Sequence, residues 1–220
     1  MTISKKDWDN QHKLNSKSFS YNGIDWLINS GRKGHHLNRR HLQSTIRHID
    51  IMLSHYNRLF PVRLELHCVE WQSNNEKLTQ FIKKAKRVLA KKYKVNKIGY
   101  IACRELETAK GPHYHIALLF DAKKVKSEYG VYEAIRDLWH EGKVSYTKYK
   151  EPLPVKRNDK ASQAGLIYAL SYMTKIRGKG YTEQNVQSFT VGRIGFASKK
   201  IGETDTGEPI TELKQGLCLE

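Results

Sequence analysis

Apolar and polar residues alternate from Pro61 to Val69: Val62, Leu64, Leu66 and Cys68 fall on one side, Arg63, Glu65 and His67 on the other. A period of two places these sets on opposite faces of a strand. The period then lengthens. Leu78, Phe81, Ile82, Ala85, Val88 and Leu89 recur at helical spacing between 75 and 93, with Lys83, Lys84, Lys86, Arg87 and Lys91 between them. This predicts an amphipathic helix whose lysine run is first of all a solvated face. Two more strands are predicted over 97–105 and 113–121, joined by a link ending in Gly111-Pro112 that suits a hairpin turn. Helices are predicted over 39–56, 129–140 and 162–176, and a short last strand over 188–191. The central order of strand, helix, strand, strand, helix, helix predicts an α+β fold: a mostly antiparallel sheet with helices packed on one face. On this reading the chain divides into a basic, His-rich, partly helical extension over 1–55, a domain over 56–200 and an acidic tail over 201–220.

Composition narrows the function classes. With 220 residues, 39 % hydrophobic, 12 Tyr, 6 Phe and 4 Trp, the chain can bury a real core, and wholesale disorder is excluded. No apolar run is long enough for a membrane span, and the first residues carry no apolar signal segment. The three cysteines lack CxxC spacing, which points away from a disulfide framework and towards a reducing, cytoplasmic compartment. Charge changes the picture most. Lys and Arg number 39 against 22 acids, a formal net charge of +17. Such an excess makes nucleic acid the first partner to consider, because phosphate neutralisation releases counterions. Cations of the 30–48 and 175–200 regions are the expected backbone contacts; the named candidates are Arg39, Arg40, Arg63, Lys110, Arg177, Lys179 and Arg193. His41, His48 and His55 recur every seven residues, two helical turns apart and too far to share an ion, so they read as a helix flank.

Two segments carry chemistry. In Gly111-Pro112-His113-Tyr114-His115-Ile116-Ala117-Leu118-Leu119-Phe120, the two histidines share one strand face, opposite Tyr114, Ile116, Leu118 and Phe120. Two imidazoles leave a divalent ion under-coordinated, and across a hairpin either Glu105 or Glu107 has the parity to supply a third ligand. Two His and a carboxylate with open positions suit Mg²⁺ or Mn²⁺ acting on a phosphate. In Ala164-Gly165-Leu166-Ile167-Tyr168-Ala169-Leu170-Ser171-Tyr172-Met173-Thr174-Lys175, helical spacing groups Tyr168, Tyr172 and Lys175 away from Leu166, Leu170 and Met173. Tyrosine is a known covalent nucleophile.

Together, Pro112-His113-Tyr114-His115 and the later Tyr168-x-x-x-Tyr172-x-x-Lys175 resemble the HUH endonuclease superfamily, in the motif order of rolling-circle replication initiators. Ser171-Tyr172-Met173-Thr174-Lys175, Gly180 and Gln187-Ser188-Phe189 look most like the inovirus-type, gene-two-like initiators, over roughly 60–195. The resemblance implies a ferredoxin-like core, His113, His115 and Glu105 as metal ligands, and Tyr172 with Tyr168 as paired tyrosines. It implies nicking and joining of single-stranded or locally melted origin DNA through a 5′-phosphotyrosine, by a monomer or weak dimer. No GxxxxGK[ST] motif occurs, so a host helicase and polymerase would be partners. Serine rather than lysine before Tyr172 departs from the pattern. Other readings are a transposase or relaxase of the same chemistry, a nuclease using water, and a non-catalytic DNA-binding regulator or origin competitor.

Overall fold

The computed structural model describes residues 13–106, 112–149, 154–176 and 186–198. In chain order the elements are β1 (Lys13–Leu14), β2 (Ser18–Tyr21), β3 (Ile24–Leu27), β4 (Leu37–Asn38), α1 (Arg39–His55), β5 (Arg58–His67) and α2 (Glu76–Tyr93). They continue with β6 (Gly99–Glu105), β7 (His113–Asp121), α3 (Glu128–Ile135), β8 (Val144–Thr147), β9 (Val155–Lys156), α4 (Lys160–Ser171) and β10 (Phe189–Val191). The Tyr172–Thr174 segment is a 3-10 turn that tightens the end of α4.

The central sheet is antiparallel in the order β10-β6-β7-β5-β8, with β9 paired to the start of β5. The run β5-α2-β6-β7-α3-β8 within it is the β-α-β-β-α-β arrangement of ferredoxin-like folds. This is the expected α+β class. Its two connecting helices, α2 and α3, lie on one sheet face over Val62, Leu64, Leu66, Tyr114, Ile116, Leu118 and Phe120. Phe81 of α2 meets Trp139 edge-on there, with ring centroids 5.6 Å apart.

The opposite face is covered as well. Leu59, Ile101, Cys103, Ala117 and Leu119 project from it into a second core with α1 and α4. The helices therefore occupy both faces, the ferredoxin-like pair on one and the two flanking helices on the other. The physical reason is in β7. Ile116 to Phe120 is a continuous apolar run, which is the mark of a strand buried on both sides. Side chains cap α1 and α4 at their starts: Asn38 Oδ1 accepts from the His41 amide, and Asp159 Oδ1 accepts from the amides of Ala161 and Ser162. No helix among the described residues is long and apolar enough to cross a membrane. The acidic segment 201–220 lies outside the described residues.

The His41–His48–His55 series separates into three surroundings. His41 stacks on Phe189 with centroids 4.4 Å apart, and His55 Nε2 lies 2.8 Å from the Gly195 carbonyl oxygen. His48 is buried, not a helix flank, and neither of its ring nitrogens has a hydrogen bond among the described residues. A Cβ at Gly99 would come 3.0 Å from His48 Nε2, so that glycine lets the imidazole press against the sheet. Burial, together with the charges of Lys86 and Arg47, pushes the His48 pKa down to about 4. The group is neutral in the fold while the unfolded chain titrates near 6.5, so its contribution is complete above about pH 6.5. It is lost as pH falls from there towards 4, a change of about 3 kcal/mol. Urea unfolding at pH 7 and near pH 4.5 should show His48→Leu losing less stability than the parent; equal losses would assign the acid sensitivity elsewhere.

Candidate metal centre and tyrosine site

The strand register builds a two-row cluster across β6, β7 and β5. Glu105 stands opposite His113, and His113 opposite His67; one row along, Cys103 stands opposite His115, and His115 opposite Glu65. Because alternate residues share a face, Glu105, His113 and His115 converge from the β6–β7 pair. One ligand atom from each lies within 4.8 Å of the others. His113 Nε2 is 3.4 Å and His115 Nε2 3.5 Å from Glu105 Oε2. The other side of the His115 ring faces Glu65, with Nδ1 3.3 Å from Oε1. Arg63 in turn reaches Glu65 at 3.4 Å. Expected ligand Glu105 is thus brought to the histidines, and Glu107 lies outside the described residues.

Burial would raise the Glu105 carboxyl, but the His113 and His115 contacts and the Lys175 charge outweigh it and hold the group well below the usual carboxylate range. Burial would lower His115, but its contacts with the Glu105 and Glu65 carboxylates outweigh that and raise it. Glu105 Oε1 is buried without a hydrogen bond among the described residues. An ionised carboxylate with an orphaned oxygen beside two imidazoles is a donor set that fits a divalent cation. Among the described residues this is the cluster of His, Cys, Asp and Glu arranged to hold one.

The tyrosine element arrives from the other layer. The buried Leu166, Ile167, Leu170 and Met173 fix α4 and its terminal turn over the second core, leaving Tyr168 43 % exposed. Lys175 closes the turn and joins the two halves of the site. Its Nζ is 3.1 Å from Glu105 Oε2 and donates to Tyr172 Oη over 3.1 Å. It also lies 4.2 Å from the centroid of the Tyr172 ring. Burial alone would lower the Lys175 pKa; the hydrogen bond to Tyr172 and the charge of Glu105 raise it instead, so the ammonium stays charged.

The N-terminal segment holds this turn in place. Ser171 Oγ accepts from the Asn29 amide at 2.7 Å and donates to the Tyr168 carbonyl at 2.8 Å. Leu37 bridges to Lys175, and the Ile176 amide donates to the His36 carbonyl at 2.9 Å. The serine that stands before Tyr172 is therefore a structural tie.

Among the expected nucleic-acid contacts, Arg63 lines the large cavity beside the tyrosines. Arg39 lies over the Phe19 ring at 5.7 Å, next to the exposed Arg40 at the start of α1. Arg193 lines a separate pocket with His55, at the far end of α1. Lys110, Arg177 and Lys179 lie outside the described residues. Sequence reasoning gave Glu65 no specific role, though its place on the polar face of β5 was the available signal. It also missed Gly31, whose Cβ would meet Tyr172 Cε2 at 2.9 Å.

A ferredoxin-like antiparallel sheet carrying Glu, His and His, with a tyrosine turn docked beside them, has the architecture of an HUH-type protein. Residues 67–177 match the family model for the replication-associated protein of the ORF2/gene-two-protein type, and the chain belongs to this rolling-circle replication initiator family. No curated protein and no solved structure matches the chain.

Proposed function

We propose that this initiator nicks one strand of origin DNA with Tyr172 and retains the strand as a 5′-phosphotyrosine. The observation that carries this reading is the Lys175 bridge, which hydrogen-bonds the phenol and contacts the Glu105 carboxylate at the same time. A phenol is mostly neutral at pH 7 and attacks only if its developing negative charge is stabilised. The Lys175 ammonium supplies that stabilisation at Oη. Attack forms the Oη–P bond and breaks the bond between phosphorus and the 3′ oxygen. The phenolic proton leaves to water, and the departing oxygen takes up a proton to become a 3′-OH that primes synthesis. The bond energy is kept in the phosphotyrosine, so rejoining needs no nucleotide cofactor. Glu105, His113 and His115 would hold Mg²⁺ or Mn²⁺, which would supply Lewis-acid polarisation of the scissile phosphate. Tyr168, one turn before Tyr172, is the candidate for the second attack that resolves the displaced strand.

The setting we infer is a phage, satellite or plasmid-like element in the cytoplasm of a bacterial host, whose helicase and polymerase complete the replication machinery. Arg39, Arg40, Arg63 and Arg193 are proposed backbone contacts, and Lys110, Arg177 and Lys179 extend that set. The test uses fluorescent single-stranded oligonucleotides tiled across the DNA around the gene, incubated with Mn²⁺ or Mg²⁺ and run on a denaturing protein gel. A fluorescent protein band that vanishes with EDTA is the expected result. Binding without such a band, on supercoiled as well as single-stranded DNA, would favour a non-catalytic regulator; released oligonucleotide fragments without a band would favour a nuclease using water.

A further inference from the structure

A cavity of about 1040 Å³ opens beside the tyrosines, between the 27–35 segment and the residues that follow β8. Its charge is one-sided. Lys17, Arg32, Lys33, Arg63 and Lys148 line it, and among the described residues no Asp or Glu does. Arg63 is paired with Glu65 at 3.4 Å, but Lys17, Arg32, Lys33 and Lys148 still give the cavity a concave, positive surface that concentrates anions. Tyr149, Tyr168 and Tyr172 add aromatic surface to the lining. Two buried polar atoms in the lining, Arg63 Nε and Tyr149 Oη, have no hydrogen-bond partner among the described residues. The cavity is at the upper end of the size range for a drug-sized ligand, and it is open to solvent.

The 28–35 part of the cavity wall is a formed loop. The Gly31 amide donates to Asn29 Oδ1 at 2.8 Å, and the His35 amide donates to the Ser30 carbonyl at 2.7 Å. Gly31 and Gly34 adopt φ values of +74° and +61°, which glycine accepts without a steric cost. The absent side chain of Gly31 is what lets the loop touch the Tyr172 ring. Arg32 and Lys33 therefore hang from a backbone docked on the nucleophile itself. The whole loop precedes residue 67, where the family match begins.

We infer that this groove holds the single-stranded DNA next to the scissile phosphate, with Arg32 and Lys33 neutralising its backbone and the exposed face of Tyr168 stacking a base. A positive groove combined with an aromatic platform is the general recipe for single-strand binding. A duplex, whose bases are already stacked, gains nothing from Tyr168. The inference rests on the nicking reading for its substrate, but its binding test does not require cleavage.

The test is fluorescence anisotropy of a fluorescein-labelled oligodeoxythymidylate over a range of salt, without metal. Arg32→Ala with Lys33→Ala should weaken binding about tenfold or more. The same pair should reduce the log–log salt slope by about 1.4, or about 0.7 for each phosphate no longer neutralised. Tyr168→Ala should weaken binding about fivefold or more. Lys83→Ala with Lys84→Ala removes the same charge from the exposed side of α2 and should leave affinity unchanged. The inference is overturned if the α2 pair weakens binding as much as the loop pair, since attraction would then be diffuse. It is overturned equally if the loop pair has no effect, or if Tyr168→Ala weakens duplex and single strand alike. Failure of the nicking reading looks different: the parent protein forms no covalent band on any oligonucleotide, while the anisotropy results stand.

Discussion

Tyr172→Phe should abolish the covalent protein–DNA band, with a loss of joining on the order of 10⁴-fold or more, while binding of the same oligonucleotide stays within about twofold. The size of the effect follows from chemistry. Phenylalanine has no oxygen to attack phosphorus, and the other groups of a catalytic constellation do not substitute for a missing nucleophile. The separation of cleavage from binding follows from geometry. The ring itself contacts the Gly31 loop and the Lys175 ammonium, and phenylalanine keeps that ring. The hydrogen bond from Lys175 to the phenol is lost, yet Lys175 retains its ion pair with Glu105 at 3.1 Å. Stability should therefore change by about 1 kcal/mol or less. Denaturing gels measure the adduct and anisotropy measures the binding. A normal band from the variant would remove Tyr172 from the chemistry, and mass spectrometry of the adducted peptide would then show whether Tyr168 takes its place.

The second large effect is expected at Glu105. Glu105→Gln keeps the shape and removes the charge that faces His113, His115 and Lys175. Mn²⁺ affinity by calorimetry should fall by about 100-fold or more, because a neutral amide is a poor ligand for a hard divalent cation. Metal-free stability should fall too. A buried ammonium left without its carboxylate typically costs about 3 kcal/mol or more. The pH dependence has a definite sign. The folded-state pKa of Glu105 lies well below its unfolded value, so its contribution is present above about pH 4.3 and lost as the pH drops below that. Glu105→Gln should accordingly flatten the acid limb of the stability curve below about pH 4.3, whereas His48→Leu acts in the window above it. Unchanged Mn²⁺ affinity in Glu105→Gln would take this carboxylate out of the metal centre.

Much of this arrangement was legible in the residue pattern, and for physical reasons. β5, β6 and β7 each run long enough to display strand alternation, and His113 and His115 share a face because the period of a strand is two. Tyr168 and Tyr172 were readable as distinct from Leu166, Leu170 and Met173 because helical spacing separates them. What escaped were elements too short to show a period. β1 and β4 have two residues each, and β2, β3 and β8 four each. Their existence depends on partners elsewhere in the chain. The end of α4 tightens into a 3-10 turn at Tyr172, and the predicted helix over 129–140 gives way at Arg136 to another. The Asn29–Gly34 stretch has evident turn chemistry and two cations, but nothing in the linear sequence places it against Tyr172. That contact depends on the Asn29–Ser171 hydrogen bond, which spans 142 residues.

The register of β5 bears on how this family diverges. The recognisable likeness starts at His67, the last residue of a strand that begins at Arg58. That strand lies between β7 and β8 and pairs with β7 from Leu59 through His67. A polypeptide trimmed to 67–177 would therefore lose an interior strand, leaving raw edges on both neighbours and stripping α1 from Ile101 and Leu119. The segment that sequence comparison can trace is thus smaller than the segment that can stand alone. The traced likeness covers the strands that carry Glu105, His113 and His115 and the helical turn that carries the tyrosines, while the flanking scaffold is free to drift in sequence so long as it still supplies a strand there and a helix above it. Relatives aligned only over the traced segment should then differ most in the part that cannot be removed.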